Sequence, residues 1–170
     1  MQVMCALFTA VCAVFSQLTI PIQPVPITLG SFAALMAGGF LGKRYGFLSL
    51  VIYLLLGMAG VPVFSMMHAG VSVIAGPSGG FIVGFAVMAF IVGLVGEKLG
   101  FTFKNMLLGT VLGTAACYTM GLAWFMFLTG NGLWASMLLC MFPFLPGDIT
   151  KIVLASYLIS RYRKRLIGTN

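Results

Sequence analysis

The sequence has 170 residues, of which 61% are hydrophobic and 6% charged, with a formal net charge of +7. Soluble domains carry about 25% charged residues, so this chain lacks the polar surface to fold in water, and lipid is the solvent that suits it. Its positive charge does not point to nucleic acid, because the basic residues stand at the ends of apolar runs and form no patch.

A spanning helix needs about 20 residues. Six apolar runs come near that length, at about 2–20, 27–42, 45–61, 79–97, 105–128 and 147–163. The runs are continuous and lack the alternation of barrel strands, so they predict helices. The first has no basic segment before it and no cleavage site after it, and it reads as a span, not a signal peptide. It ends at Pro21-Ile22-Gln23-Pro24-Val25-Pro26. The second ends at Lys43-Arg44, and the third leads into a long stretch, 62–78. The fourth ends in the turn 97–104, the fifth in 129–146, and the sixth in Arg161, Arg163, Lys164 and Arg165.

Eight of the nine Lys and Arg residues fall in alternate connections: 43–44, 98–104 and 161–165. The connections after spans one, three and five carry none. Basic loops stay in the cytoplasm. The expectation is one transmembrane domain over 1–170: an all-α bundle of six membrane helices with both termini cytoplasmic. The outer connections are long and rich in Pro and Gly, which suggests a binding face or a lid there, or loops that merely tolerate drift.

Small residues recur at four-residue spacing in Ala6-xxx-Ala10, Gly38-xxx-Gly42-xxx-Gly46, Gly76-xxx-Gly80-xxx-Gly84 and Gly109-xxx-Gly113. Such stripes let helix backbones approach, and packing within the bundle is the default reading. Ala6 and Ala10 lie near the cytoplasmic end and can instead face a partner protein. Cys5, Cys12, Cys117 and Cys140 all sit in apolar stretches without metal spacing and read as small hydrophobes.

The ninth basic residue, Lys151, sits inside the sixth run, three positions after Asp148. Residues three apart share a helix face, and an ionisable group within a span is a functional candidate. Asp148 follows Pro146-Gly147 and so falls near a helix start, where it can cap backbone N–H groups. In one reading it only caps, while Lys151 reaches out to headgroups. In the other the pair lines a cavity open to the outside, suited to a small polar ligand with amide-like groups or a carboxylate. His68 is the other ionisable candidate on the outer side. The chain has no G-x-x-x-x-G-K-[ST], H-E-x-x-H or G-x-S-x-G motif, so nothing marks it as an enzyme or as an ATPase in its own right.

Four stretches together resemble the BioY family, the biotin-binding S components of energy-coupling factor (ECF) transporters. They are Pro24-Val25-Pro26-Ile27-Thr28-Leu29, Gly57-Met58-Ala59-Gly60-Val61-Pro62-Val63-Phe64, Gly76-Pro77-Ser78-Gly79-Gly80-Phe81 and Pro143-Phe144-Leu145-Pro146-Gly147-Asp148-Ile149-Thr150-Lys151. The resemblance runs over nearly the whole chain. It implies a bundle that binds biotin near its outer face, in the plasma membrane of a prokaryote, with no cofactor and no metal. It implies docking, with Ala6 and Ala10 facing the partner, onto a transmembrane T component that works with two cytoplasmic ATPases. It makes 21–26 a lid and Asp148 with Lys151 the polar pair of the site, joined by His68, Thr28, Gly79, Gly80 and Phe81. Ile82 stands where some members carry Arg, and Gly30 where many have Gln. His68, loop N–H groups and Lys151 are then expected to share the biotin carboxylate. An S component for another vitamin, a passive channel or facilitator and an intramembrane enzyme are the rival readings.

Overall fold

Helix α1 (Gln2–Gln17) buries Cys5, Phe8, Thr9, Cys12 and Ser16, a stripe at three- and four-residue spacing, and leaves Val3, Ala6, Leu7, Ala10 and Val14 exposed on the opposite face. The computed structural model describes residues 1–21 and 24–167. After α1 comes a short hairpin of β1 (Thr19–Ile20) and β2 (Ile27–Thr28), paired antiparallel with Thr19 opposite Thr28. This differs from the expected ends of the first two spans at 20 and 27. Residues before a proline favour extended backbone, and the prolines at 21 and 26 flank the two strands, so the helices stop short of them. Of the expected lid, Ile22 and Gln23 lie outside the described residues.

Helix α2 (Gly30–Met58) holds both the second and third expected spans and is broken at Gly42, where φ is 80° and ψ 179°. That backbone conformation is open to glycine and strained for other residues. The chain reverses here: a Cβ on Gly46 would lie 2.8 Å from the Cα of Gly38, so the two arms fold back against each other. The pivot is pinned from the neighbouring helix. Glu97 accepts from the backbone N–H of Lys43 at 2.9 Å, and its other oxygen pairs with Lys43 Nζ at 3.2 Å.

The outer stretch after α2 is not plain loop. It holds a 3-10 turn (Ser65–Met67) and helix α3 (Val71–Ala75), and Gln17 holds it down. The Gln17 amide donates to the carbonyls of Pro62 (3.3 Å) and Phe64 (2.9 Å) and accepts from the N–H of Met67 at 2.9 Å. Beneath this clamp the Phe64 ring is fully buried, edge-on to Tyr53 and against Gly57, where a Cβ would meet the ring at 2.1 Å. Gln17→Ala removes all three bonds, each worth about 1 kcal/mol net. Hydrogen–deuterium exchange of 62–68 should rise at least tenfold in this variant, while that of the α4–α5 contact stays unchanged.

Helices α4 (Gly79–Leu99) and α5 (Phe103–Thr129) pack antiparallel along their glycines. Gly84 abuts Cys117, Gly113 abuts Met88 and Val92, and Gly109 abuts Val95. Gly38, Gly46, Gly80, Gly84, Gly109 and Gly113 therefore serve close packing inside the bundle, as expected, whereas Gly76 ends α3 outside the α4 face and Gly42 forms the break in α2. Helix α6 (Leu133–Cys140) occupies the last outer stretch and meets α7 (Leu145–Ile167) at a bend of 63°. Thr110 and Ser156 join α5 to α7 through their hydroxyls at 3.0 Å.

By length and composition α2, α4 and α5 can each cross a membrane, and the bent pair α6–α7 makes a fourth. Because α2 doubles back, the bundle is traversed six times, by α1, the two arms of α2, α4, α5 and α7. The start of α1 and the end of α7 lie at the same end. The Cys5 thiol donates to Tyr45 O at 3.3 Å, and Arg163 donates to Gly39 O at 3.1 Å with its guanidinium 3.5 Å from the Phe101 ring centroid. The basic groups at 43–44, 98–104 and 161–165 gather there. At the other end lie the hairpin, the 3-10 turn, α3 and α6.

Candidate ligand-binding site

Pro146 stands in the first turn of α7, where a missing N–H costs nothing. That places Asp148 at the fourth residue of the helix, its N–H bonded to Phe144 O at 2.9 Å. The carboxylate is not spent on capping. Asp148 Oδ1 accepts from Lys151 Nζ at 2.9 Å, and Oδ2 accepts from the phenol of Tyr118 on α5. Lys151 completes its three bonds with Thr28 O at 2.8 Å and Ser31 Oγ at 3.0 Å. Asp148 and Lys151 are only 9% and 8% exposed, so the ammonium does not reach out to headgroups. A buried pair is tolerable when its members find further hydrogen bonds, and here Lys151 uses all three N–H groups while each Asp148 oxygen accepts one bond. Among the described residues no buried side-chain nitrogen or oxygen lacks a hydrogen bond.

The pair forms one wall of a cavity of about 520 Å³, counting its open mouth. The hairpin and its loop give Val25, Pro26 and Thr28; α2 gives Ser31 and Leu35; α4 gives Phe81, Phe85 and Met88. Helix α5 adds Thr114, Cys117 and Tyr118, and Phe144 and Ile152 close the side by α7. Apolar walls with a few convergent polar groups are the usual make-up of a small-molecule site. Val25, 4% exposed, and Pro26 roof the cavity and separate it from a second recess lined by Ser16, Tyr53, Ser65, Ser78 and Ile82.

The structure brings four of the residues singled out from sequence into the cavity wall: Asp148, Lys151, Thr28 and Phe81. Gly79 and Gly80 stand just outside it and serve packing. A Cβ on Gly79 would meet Ile74 O at 1.7 Å, and one on Gly80 would meet Trp124 at 2.4 Å. His68 is exposed, bonded through Nδ1 to Ser65 O at 2.9 Å, and lines a separate outer cleft with Pro21, Pro24 and Ser72. Ala6 and Ala10 are both exposed on α1. Gly30 has no room for a longer side chain, since a Cβ there would lie 2.5 Å from Ser16 Oγ. Ile82 presents an apolar side chain to the second recess.

Sequence reasoning missed Ser31, Thr114 and Tyr118. Thr114 and Tyr118 are four apart, hence on one helix face, and they are polar groups in the middle of an apolar run. That signal was available. Ser31 carries none, because only the fold sets it beside Lys151.

A helical membrane bundle with a roofed apolar cavity and one buried, hydrogen-bonded ion pair in its wall is a membrane protein built to hold a small polar solute. The comparisons narrow that class. The sequence model of the BioY family matches residues 1–168, and the chain belongs to that family. It is 36% identical over 156 residues to a protein of Pyrococcus horikoshii named "Probable biotin transporter BioY", covering 92% of this chain and 91% of that protein. It is 35% identical over 158 residues to the "Biotin transporter BioY" of Thermotoga maritima, covering 93% and 92% of the two chains. Among solved structures it matches the crystal structure of the S component for biotin from an ECF-type ABC transporter. The TM-score is 0.89 at 32% identity, with 96% of this chain and 90% of that one covered.

Proposed function

We propose that this chain is the biotin-binding S component of an ECF-type transporter and mediates biotin uptake. The observation that carries the reading is the Asp148–Lys151 pair, buried in the wall of an otherwise apolar cavity in a chain of the BioY family. The ureido N–H groups of biotin donate to Asp148, which is acceptor-only while ionised, and Lys151 gives one of its N–H bonds to the ureido carbonyl. Phe81, Phe85, Met88 and Val25 cover the thiophane ring. The valeryl chain runs under Pro26 toward the second recess, where the Ser65 and Ser78 hydroxyls and the start of α4 receive its carboxylate. His68 stands beyond Ser65, in the separate outer cleft.

The basic end of the bundle faces the cytoplasm of a prokaryote and the roofed cavity faces out, by the positive-inside rule. The chain is not an enzyme, and it carries no phosphate-binding loop of the G-x-x-x-x-G-K-[ST] kind. As an S component of an ECF-type transporter, it draws for uphill transport on two ATPases through a T component. The exposed stripe of α1 with Ala6 and Ala10 is the surface we assign to that T component, because its small residues admit a close helix.

Calorimetry on the purified protein with biotin, riboflavin and thiamine tests the ligand. Submicromolar binding of biotin alone is expected. Tight binding of another vitamin with none of biotin would replace the reading, and solute flux through liposomes holding this chain alone would favour a passive channel.

A further inference from the structure

Tyr118 holds the Asp148 carboxylate from the side opposite Lys151. Its phenol donates to Oδ2, while Lys151 donates to Oδ1. The Tyr118 ring is itself fixed, edge-on against Phe81 with centroids 6.4 Å apart and planes at 84°. Two donors on two different helices therefore set the plane of one carboxylate. An ionised carboxylate has about four acceptor positions, so roughly one on each oxygen remains for a ligand.

We propose that Tyr118 is a positioning residue for ligand recognition: it fixes the Asp148 carboxylate so that its remaining acceptor positions face the cavity, and thereby selects a ligand that brings N–H donors. This rests on the biotin reading in naming the donors as ureido N–H groups. Without the phenol, the carboxylate is held only through Oδ1 and is free to turn about the Lys151 contact. A ligand N–H then meets an acceptor whose direction is no longer set, and the advantage of a donor over a methylated, donor-free nitrogen shrinks.

The chain's two acidic residues are Glu97 and Asp148, so side-chain carbon-13 labelling of aspartate reports Asp148 alone. In ligand-free protein, Tyr118→Phe is expected to shift the infrared carboxylate band of that label. Biotin should bind about tenfold more weakly to the variant, and the ratio of affinities for biotin and its ureido-N-methyl analogue should narrow by a similar factor. On an Asp148→Asn background, the same Tyr118 change should alter biotin affinity less than twofold. An unmoved carboxylate band, an unchanged biotin affinity, or a tenfold loss that persists on the Asp148→Asn background would each overturn the proposal. Should Tyr118→Phe fail to fold, 3-fluorotyrosine placed at position 118 keeps the shape and strengthens the donor. It is expected to move the band and tighten biotin binding, and no change in either would count against the proposal. If wild-type protein does not bind biotin, the ligand reading falls, and the ligand-free band shift still decides whether the phenol holds the carboxylate.

Discussion

Lys151→Ala is expected to weaken biotin binding at least a hundredfold, and Asp148→Asn at least tenfold, when both are measured by calorimetry. The two changes are unequal for a reason visible in the site. Removing Lys151 leaves a buried carboxylate supported only by Tyr118, and it also frees Thr28 O and Ser31 Oγ. Breaking a buried pair by deleting one partner costs about 3–5 kcal/mol, because the surviving charge is uncompensated. Asp148→Asn keeps the shape and one acceptor oxygen, and Lys151 retains two of its three bonds. Part of either cost falls on folding, so binding and stability have to be separated. Asp148→Leu combined with Lys151→Met removes both charges and fills the same space. Such swaps are often neutral or stabilising. The double variant should unfold no earlier than wild type by thermal scan, yet bind no biotin. Wild-type affinity in Lys151→Ala and Asp148→Asn would remove the pair from the site. Early unfolding of the double variant would make the pair a structural device.

The second large effect concerns Gly38. A Cβ there would sit 2.3 Å from Ala89 O, and Gly93 has a Lys43 backbone nitrogen 2.2 Å from the same position. Both obstacles are main chain, which cannot swing aside as a side-chain tip can. Gly38→Leu is therefore expected to prevent the second span from docking on α4. Gly93→Val should do the same at the Gly42 pivot. Overpacking costs about 1–3 kcal/mol where neighbours can move, and here they cannot. The expected result is aggregation, or loss of the monodisperse peak on size exclusion in detergent. Gly132→Ala and Gly147→Ala are the controls, since nothing lies within 4 Å of a Cβ at either and neither needs a positive φ. Both should behave as wild type. Normal elution and unfolding of Gly38→Leu would contradict the close packing of α2 on α4.

What the sequence revealed followed the physics of a low-dielectric solvent. Asp148 and Lys151 stood out because charge inside an apolar run is costly and needs a reason, and the glycine stripes because their spacing matches a helix face. The reversal within α2 was placed at Lys43-Arg44, since charges mark a membrane boundary. The chain turns one residue earlier, at Gly42, because only glycine takes that backbone conformation easily and Glu97 is there to hold the far side. That second fact joins residues far apart in sequence and leaves no local trace. The hairpin was missed because two-residue strands are too short to show alternation. The outer stretches read as loops because Pro and Gly interrupt them, although α3 and α6 form between the breaks. His68 could be assigned to the outer side by topology, but only the fold sets it in the cleft beyond the roof.

The hairpin beside the cavity and the outer stretch after α2 are moored by bonds that end on the main chain. Lys151 reaches the carbonyl of Thr28, and Gln17 reaches the carbonyls of Pro62 and Phe64 and the amide of Met67. Exchanging the side chain at an exposed anchor point such as Met67 leaves the bond itself in place. The exposed positions of the outer rim can thus diversify without breaking these bonds, while sensitivity to replacement is concentrated in the two long polar arms that do the reaching and in the buried Phe64 ring.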